Sequence, residues 1–275
     1  MRAVRYYGQK DIRVEDIDAP VAGKGQVLID IAWCGICGTD LHEYLEGPIF
    51  VPKPGHPHPI TGEEPPVTLG HEFSGVVAAL GEGVDDLEVG QHVVVEPYIL
   101  PEDVDPNEPG PYNLHPDVNF IGLAGGGGGL SEHIAVERRW VHPISNDVPL
   151  DEAALIEPLS VAHHAFVASE AGEGDVALIG GAGPIGVLTA AVAKAYGCTV
   201  VISELSELRR QRALDAGVAD YAIDPSSQDL KEEILKITDG KGADVAFEAT
   251  SVNVVLDQLV DCLKLQGVLV VESIW

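Results

Sequence analysis

Positive charge is what this sequence most conspicuously lacks: 16 Lys and Arg stand against 44 Asp and Glu in 275 residues, a formal net charge of −28. So acidic a chain has no electrostatic footprint for nucleic acid or for an anionic membrane surface, and both are excluded as partners. The acids are scattered among apolar segments and form no long block, so the excess describes a heavily solvated folded surface and not disorder. A protein adapted to high salt is expected. Cysteine is scarce as well. Cys34, Cys37, Cys198 and Cys262 are too few and too dispersed for a disulfide framework, so reduced thiols and a cytoplasmic setting are expected. No run of about 18 apolar residues occurs, and Met1 to Tyr6 hold no apolar stretch of signal-peptide length.

What is present falls into two parts. Up to about residue 150, short apolar runs (Val27 to Ala32, Phe73 to Leu80, His92 to Glu96, Ser131 to Val136) alternate with Gly, Pro and Asp, the pattern of a β-rich domain. Two long loops, Gly47 to Pro66 and Glu96 to Phe120, have the length of functional lids, and the run Gly125 to Gly129 reads as a flexible turn. From Asp151 the rhythm becomes strand and helix in alternation, the signature of a doubly wound parallel sheet. Strands are expected at Val176 to Gly180, Thr199 to Ser203, Asp220 to Ile223, Asp244 to Glu248 and Val268 to Glu272. Helices are expected at Pro184 to Tyr196, Ser206 to Ala216, Ser227 to Thr238 and Asn253 to Leu265. A full sheet of this type has about six strands, so the chain, closing at Trp275, reads as one strand short, and an incomplete chain is expected to be poorly soluble or inactive.

Two constellations carry chemistry. Gly181-Ala182-Gly183-Pro184-Ile185-Gly186 follows a buried strand and opens a helix, and Glu204 closes the next strand, the context in which GxGxxG marks a dinucleotide site. Gly181 permits the tight turn, Gly183 lets backbone approach a pyrophosphate, and Gly186 permits close helix packing. Glu204 would accept from ribose hydroxyls and repel a 2′-phosphate, favouring NAD over NADP. The second constellation is Gly70-His71-Glu72, read with Cys37-Gly38-Thr39-Asp40-Leu41-His42 and Glu157-Pro158. It offers thiolate, imidazole and carboxylate, the donor mix of a zinc site that keeps a position open. Cys34 with Cys37 makes a CxxC without a second CxxC or a thioredoxin-like setting, and Cys34 reads as packing.

Through GICGTDLH at 35–42, GHE at 70–72, EP at 157–158 and GAGPIG at 181–186, the chain resembles the zinc-dependent medium-chain alcohol dehydrogenases over essentially its whole length. Within them it is most similar to the butanediol (acetoin-forming) dehydrogenases, through HEYLEGPIF at 42–50, HPITGEEPPVTLGHEFSG at 58–75 and GLAGGGGGLSEH at 122–133. The resemblance implies an α/β protein with a GroES-like catalytic domain over 1–155 and a Rossmann NAD-binding domain over 156–275, lacking its last strand. It also implies one catalytic zinc held by Cys37, His71 and Glu157, with Glu72 beside His71 as a carboxylate that either exchanges into the site or supports its ligands from behind. Which of Glu72 and Glu157 is the resting ligand stays open.

In such enzymes zinc lowers the pKa of the substrate alcohol so that hydride can pass to the nicotinamide, and Thr39 and His42 match positions that relay the released proton. Gly181, Gly183, Ile185, Gly186, Glu204 and Arg209 are the implied cofactor residues, although Arg209 also reads as a solvated helix residue. Asp40 reads equally as an orienting residue or as a surface cap. Relatives with a second, structural zinc carry four cysteines in the lobe that corresponds to Glu96–Phe120; this loop has none, His115 alone cannot replace them, and no thiolate-bound structural zinc is expected. His56, His58, His163 and His164 read as surface or pocket-wall residues. The implied substrate is a small secondary alcohol or diol, with sorbitol-type polyol or threonine dehydrogenases, or a catalytically silent NAD- or zinc-binding chain, as alternatives. Homo-oligomers are expected of a full-length form.

Overall fold

Alternating burial builds the first half of the chain. Strands β1 (Arg2–Gly8) and β2 (Asp11–Asp16) pair antiparallel, and β3 (Gln26–Cys34) buries Val27 and Ile29 while Leu28 between them is half-buried and Asp30 beyond them faces out. Helix α1 (Gly38–Glu46) follows, then β4 (Val67–Thr68), β5 (Phe73–Leu80), β6 (His92–Val95), β7 (Tyr98–Ile99), β8 (Asn119–Phe120), β9 (His133–Glu137), β10 (Val141–Pro143) and a short α2 (Leu150–Ala153). They form a three-stranded sheet β2-β1-β4, a five-stranded antiparallel sheet β10-β6-β5-β3-β9 and a β7-β8 pair. Val27, Ile29, Phe73, Val77, Val93, Ile134, Val136 and Trp140 fill the core. Each such apolar side chain contributes roughly 1.5–3 kcal/mol by leaving water.

This computed structural model describes residues 1–108 and 110–274, and the chain divides into two units, Met1–Glu157 and the residues from Pro158 onward. Pro109 in the acidic loop, and Trp275 where the sheet reading stops, lie outside the described residues. Helix α3 (Ile156–Ala168), whose first two residues belong to the first unit, leads to β11 (Val176–Gly180), α4 (Pro184–Ala195), β12 (Thr199–Ser203), α5 (Glu207–Asp215), β13 (Tyr221–Ile223), α6 (Leu230–Ile237), β14 (Ala243–Glu248), α7 (Asn253–Cys262) and β15 (Leu263–Val271). The five strands run parallel in the order β13-β12-β11-β14-β15, the doubly wound order.

Three details depart from the sequence reading. Helix α7 stops at Cys262 and β15 begins at once, although leucine spacing extends a helix to Leu265; pairing of Leu263 with Ala243, and the Lys264–Asp244 ion pair, outweigh the local preference. Helix α6 starts at Leu230, where Asp229 caps it by accepting from Glu232 N at 3.0 Å. The run Gly125–Gly129 is no flexible turn. Gly128 and Gly129 are buried, and a Cβ on Gly128 would sit 2.4 Å from the Leu69 carbonyl oxygen, so the run is a bed on which the backbone before His71 lies.

Described residues of the cysteine-free loop pack on one another and on Arg139 and Trp140 beyond it. Tyr98, Tyr112, Phe120 and Trp140 pack ring to ring at centroid distances of 5.6–6.0 Å. Arg139 donates to the carbonyls of Leu100, Pro101 and Val104, and Tyr112 donates to Glu96 at 2.6 Å. Aromatic pairs of this kind contribute about 0.5–1.5 kcal/mol each beyond their burial.

Candidate metal centre and dinucleotide-binding turn

Cys37 is the N-cap of α1, in extended conformation, and its amide donates to Asp40 Oδ2 at 3.0 Å across the first turn. Asp40 is 5% exposed, so its capping role is not a surface one, and its other oxygen lies 3.8 Å from His71 Nδ1. His71 is itself buried. Neither Asp40 Oδ1 nor His71 Nδ1 has a hydrogen-bond partner among the described residues. A proton on Nδ1 facing this carboxylate would leave the second ring nitrogen as the lone-pair donor, the usual support of a metal-binding imidazole.

Ligand atoms of Cys37, His71 and Glu72 lie within 4.8 Å of one another, close enough for one ion with bonds of about 2.0–2.3 Å to gather them. Burial pushes the Cys37 thiol up to about 12 and raises the Glu72 carboxyl. Glu157, the second residue of α3, is half-buried and stands outside the trio; burial first, then Glu72 and Asp40, push its carboxyl up to about 8. Acids crowded in a dry pocket resist ionisation, and a divalent cation would reverse that preference. The donor set therefore fits a zinc. Thr39 Oγ1 lies 3.6 Å from Cys37 Sγ, and His42, half-buried, follows one turn along α1.

Around the donors, Gly129 N and Leu130 N donate to the carbonyls of Gly70 and Leu69 at 2.8 and 2.9 Å. Cys34 Sγ packs on this glycine bed, 2.8 Å from where a Cβ on Gly70 or on Gly129 would stand. Sequence reasoning missed Glu43, fully buried on α1, whose carboxylate accepts from Ile49, Phe50 and Val51 amides and so anchors the start of the Pro- and His-rich loop. A carboxylate one residue after His42 and a few before a Gly-Pro turn was the available signal.

In the second unit the glycines divide by role. A Cβ on Gly186 would meet the Gly181 carbonyl oxygen at 2.3 Å, and Gly181 itself has φ +98°, so both are required by the turn. Gly183 has nothing within 4 Å of its missing Cβ and is the N-cap of α4, with no side chain capping it. Pro184 is the first helical residue, so the Ile185 and Gly186 amides are the nearest donors of an open helix N-terminus, a cradle suited to a diphosphate. Glu204 reaches back across it: its Oε2 accepts from Ala182 N and its Oε1 from Ser206 N, both at 2.8 Å. Arg209 is exposed, 3.8 Å from Glu204 Oε2, whereas its neighbour Arg210 is bonded into the loop. His163 bonds the Tyr196 hydroxyl at 3.0 Å.

Comparison with known proteins agrees with this architecture. Residues 23–146 match the family described as alcohol dehydrogenase GroES-like domain, and residues 184–274 match that described as zinc-binding dehydrogenase. The chain is 64% identical over 275 residues to the (R,R)-butanediol dehydrogenase of Neisseria gonorrhoeae, covering all of this chain and 78% of that protein. The crystal structure of 2R,3R-butanediol dehydrogenase from Bacillus subtilis superposes with a TM-score of 0.92 at 45% identity, over 100% of this chain and 77% of that one. A zinc-binding dehydrogenase from Sinorhizobium meliloti, bound to NADP, superposes with a TM-score of 0.85 at 30% identity, over 99% of this chain and 76% of that one. The fold, the two matched regions and whole-chain identity at this level have one explanation: the chain belongs to the zinc-dependent medium-chain alcohol dehydrogenase family.

Proposed function

We propose that the protein interconverts a small vicinal diol and its hydroxyketone, 2,3-butanediol and acetoin, using one zinc and NAD. The observation that carries the reading is the convergence of Cys37, His71 and Glu72 in a chain so similar to butanediol dehydrogenases throughout. When bound, zinc supplies a Lewis acid for the alcohol oxygen and NAD an acceptor for the hydride.

The chain's own residues do the rest. Asp40 orients the imidazole of His71 and holds the first turn of α1 through the Cys37 amide. The Thr39 hydroxyl, beside Cys37 Sγ, both accepts and donates, so it can pass the substrate proton on. His42, on the same helix, takes that proton towards solvent. Cys37, His71 and Glu157 are our ligand set, with Glu72 exchanging in. In the second unit, the amides of the Gly181–Gly186 turn hold the diphosphate and Glu204 the adenosine ribose, and Arg209 flanks the adenosine. We place the division between catalytic and cofactor-binding domains at residues 155 and 156.

The protein, purified from the reading frame that contains this sequence, is expected to oxidise (R,R)-2,3-butanediol with NAD far better than with NADP, and better than it oxidises sorbitol or L-threonine. Steady-state assays of the three alcohols with both cofactors check this. A preference for sorbitol or threonine would move the substrate class. No turnover with any of them would overturn the enzymatic reading for this chain.

We also propose a salt-adapted cytoplasmic protein. Four unpaired cysteines suit a reducing compartment, and among the described residues no helix is long and apolar enough to cross a membrane. With a net charge of −28, self-repulsion should relax as the screening length falls from about 10 Å at 0.1 M to about 3 Å at 1 M salt. The melting temperature should therefore rise steadily with KCl over that range. A flat or falling curve, measured by circular dichroism, would identify an ordinary acidic enzyme.

A further inference from the structure

We infer that Arg210 is the positioning residue for Glu204, and that discrimination between NAD and NADP depends on its guanidinium fork; the inference rests on the role proposed above for Glu204. Glu204 stands just past the end of β12, in the crossing to α5; its amide still donates to the Ile223 carbonyl at 3.1 Å, and beyond it the sheet no longer holds the chain. Its carboxylate is tied at the tip to Ala182 N and Ser206 N, but those bonds do not fix the two peptides that follow it.

Arg210 fixes them. One nitrogen, Nη1, donates to the carbonyls of both Glu204 and Leu205, at 2.6 and 2.8 Å. The other, Nη2, meets Asp224 Oδ2 at 3.1 Å, and Asp224 is the first residue after β13. A single planar group thus ties the carboxyl ends of two parallel strands to α5. The side chains are 16% and 23% exposed, so the pair is sheltered, whereas Arg209 next to it is 58% exposed. Asp224 is itself held by the Ser226 amide and hydroxyl, which keeps the far anchor of the fork in place.

The geometry demands arginine. Lysine keeps the charge but offers one nitrogen, which cannot bond two carbonyls and reach Asp224 with a second, rigidly spaced donor group. Without the fork the Glu204–Leu205 peptide can rotate, and the Glu204 carboxylate loses its fixed place above Ala182. Two consequences follow in opposite directions. NADH loses bonds to its ribose hydroxyls, and NADPH loses the carboxylate that repels its 2′-phosphate. General loosening of the domain would instead weaken both cofactors together.

The test uses the whole chain, with dissociation constants for NADH and NADPH from cofactor fluorescence and melting curves to verify folding. Arg210→Lys is expected to lower the ratio of the NADPH to the NADH dissociation constant about tenfold, mainly through weaker NADH binding. Asp224→Asn, which removes only the charge of the far anchor, should move the ratio in the same direction, and it decides the matter if Arg210→Lys does not fold. Arg212→Lys, on the same helix, should keep the wild-type ratio. An unchanged ratio in the folded Arg210 or Asp224 variant, or equal loss of both cofactors, would overturn the inference. If the unmodified protein binds the two cofactors equally, the Glu204 reading fails first, and Arg210 is left with nothing to position.

Discussion

A Cys37→Ala protein is expected to purify folded, to hold almost no zinc, and to oxidise butanediol about a thousandfold more slowly than the unmodified protein. The fold should survive because the hydrogen bond from the Cys37 backbone amide to Asp40 Oδ2, which caps the start of α1, is kept by alanine. The activity should not, because the thiolate is the softest donor of the trio and the Lewis acid it helps to hold is worth several kcal/mol in the transition state. About 4 kcal/mol corresponds to that thousandfold. Zinc analysis of the unmodified protein should give close to one ion per chain. Cys34→Ala is the matched control: its sulfur packs on Gly70 and Gly129 and stands outside the donor trio, so zinc should be retained. Full activity in Cys37→Ala, or two tightly held zincs in the unmodified protein, would sink the metal assignment. Glu72→Gln and Glu157→Gln, assayed for zinc content in the same way, separate the two carboxylates.

The second large effect is expected at a residue that carries no chemistry. Gly122 has φ +83°, and a Cβ there would stand 2.0 Å from the Gly70 carbonyl oxygen and 2.5 Å from its carbon, all backbone that no rotamer change can move. Gly122→Ala therefore forces the peptide before His71 to shift. Left-handed strain of about 1–2 kcal/mol adds to overpacking of about 1–3 kcal/mol, a large share of the roughly 5–15 kcal/mol by which domains are stable. Zinc affinity should fall with it, because the displaced peptide carries a ligand. Gly83→Ala separates the causes, since Gly83 has φ +88° with open space around it and suffers the strain alone. Denaturant unfolding of the two variants checks the claim. Equal losses of stability, with zinc affinity unchanged in Gly122→Ala, would show that the glycine bed does not shape the metal centre.

Much of this protein is determined locally. The parallel strands are continuous apolar runs, and periodicity alone locates β11, β12 and β14 to within a residue or so, because burial on both faces leaves no other arrangement for Val176–Gly180 or Thr199–Ser203. The glycine turn with Glu204, and the Cys, His and Glu types in their motifs, are equally legible, since each chemistry demands a residue type at a fixed spacing. What the sequence by itself does not determine is which of those groups meet and what holds them. Glu72 joins Cys37 and His71 while Glu157 stands outside that trio, because the backbone through Gly70, laid on Gly122–Gly129, sets where His71 and Glu72 point. Asp40 is a buried cap that stands 3.8 Å from His71 and not a surface one, and it is the Arg210 side chain that hydrogen-bonds the Glu204 backbone, while Arg209 stands 3.8 Å from the Glu204 carboxylate. These choices rest on contacts between residues far apart in the chain or on which face of a helix is covered, and no local periodicity encodes either. Packing decides them, as it decides that Leu263 pairs with Ala243 instead of extending its helix.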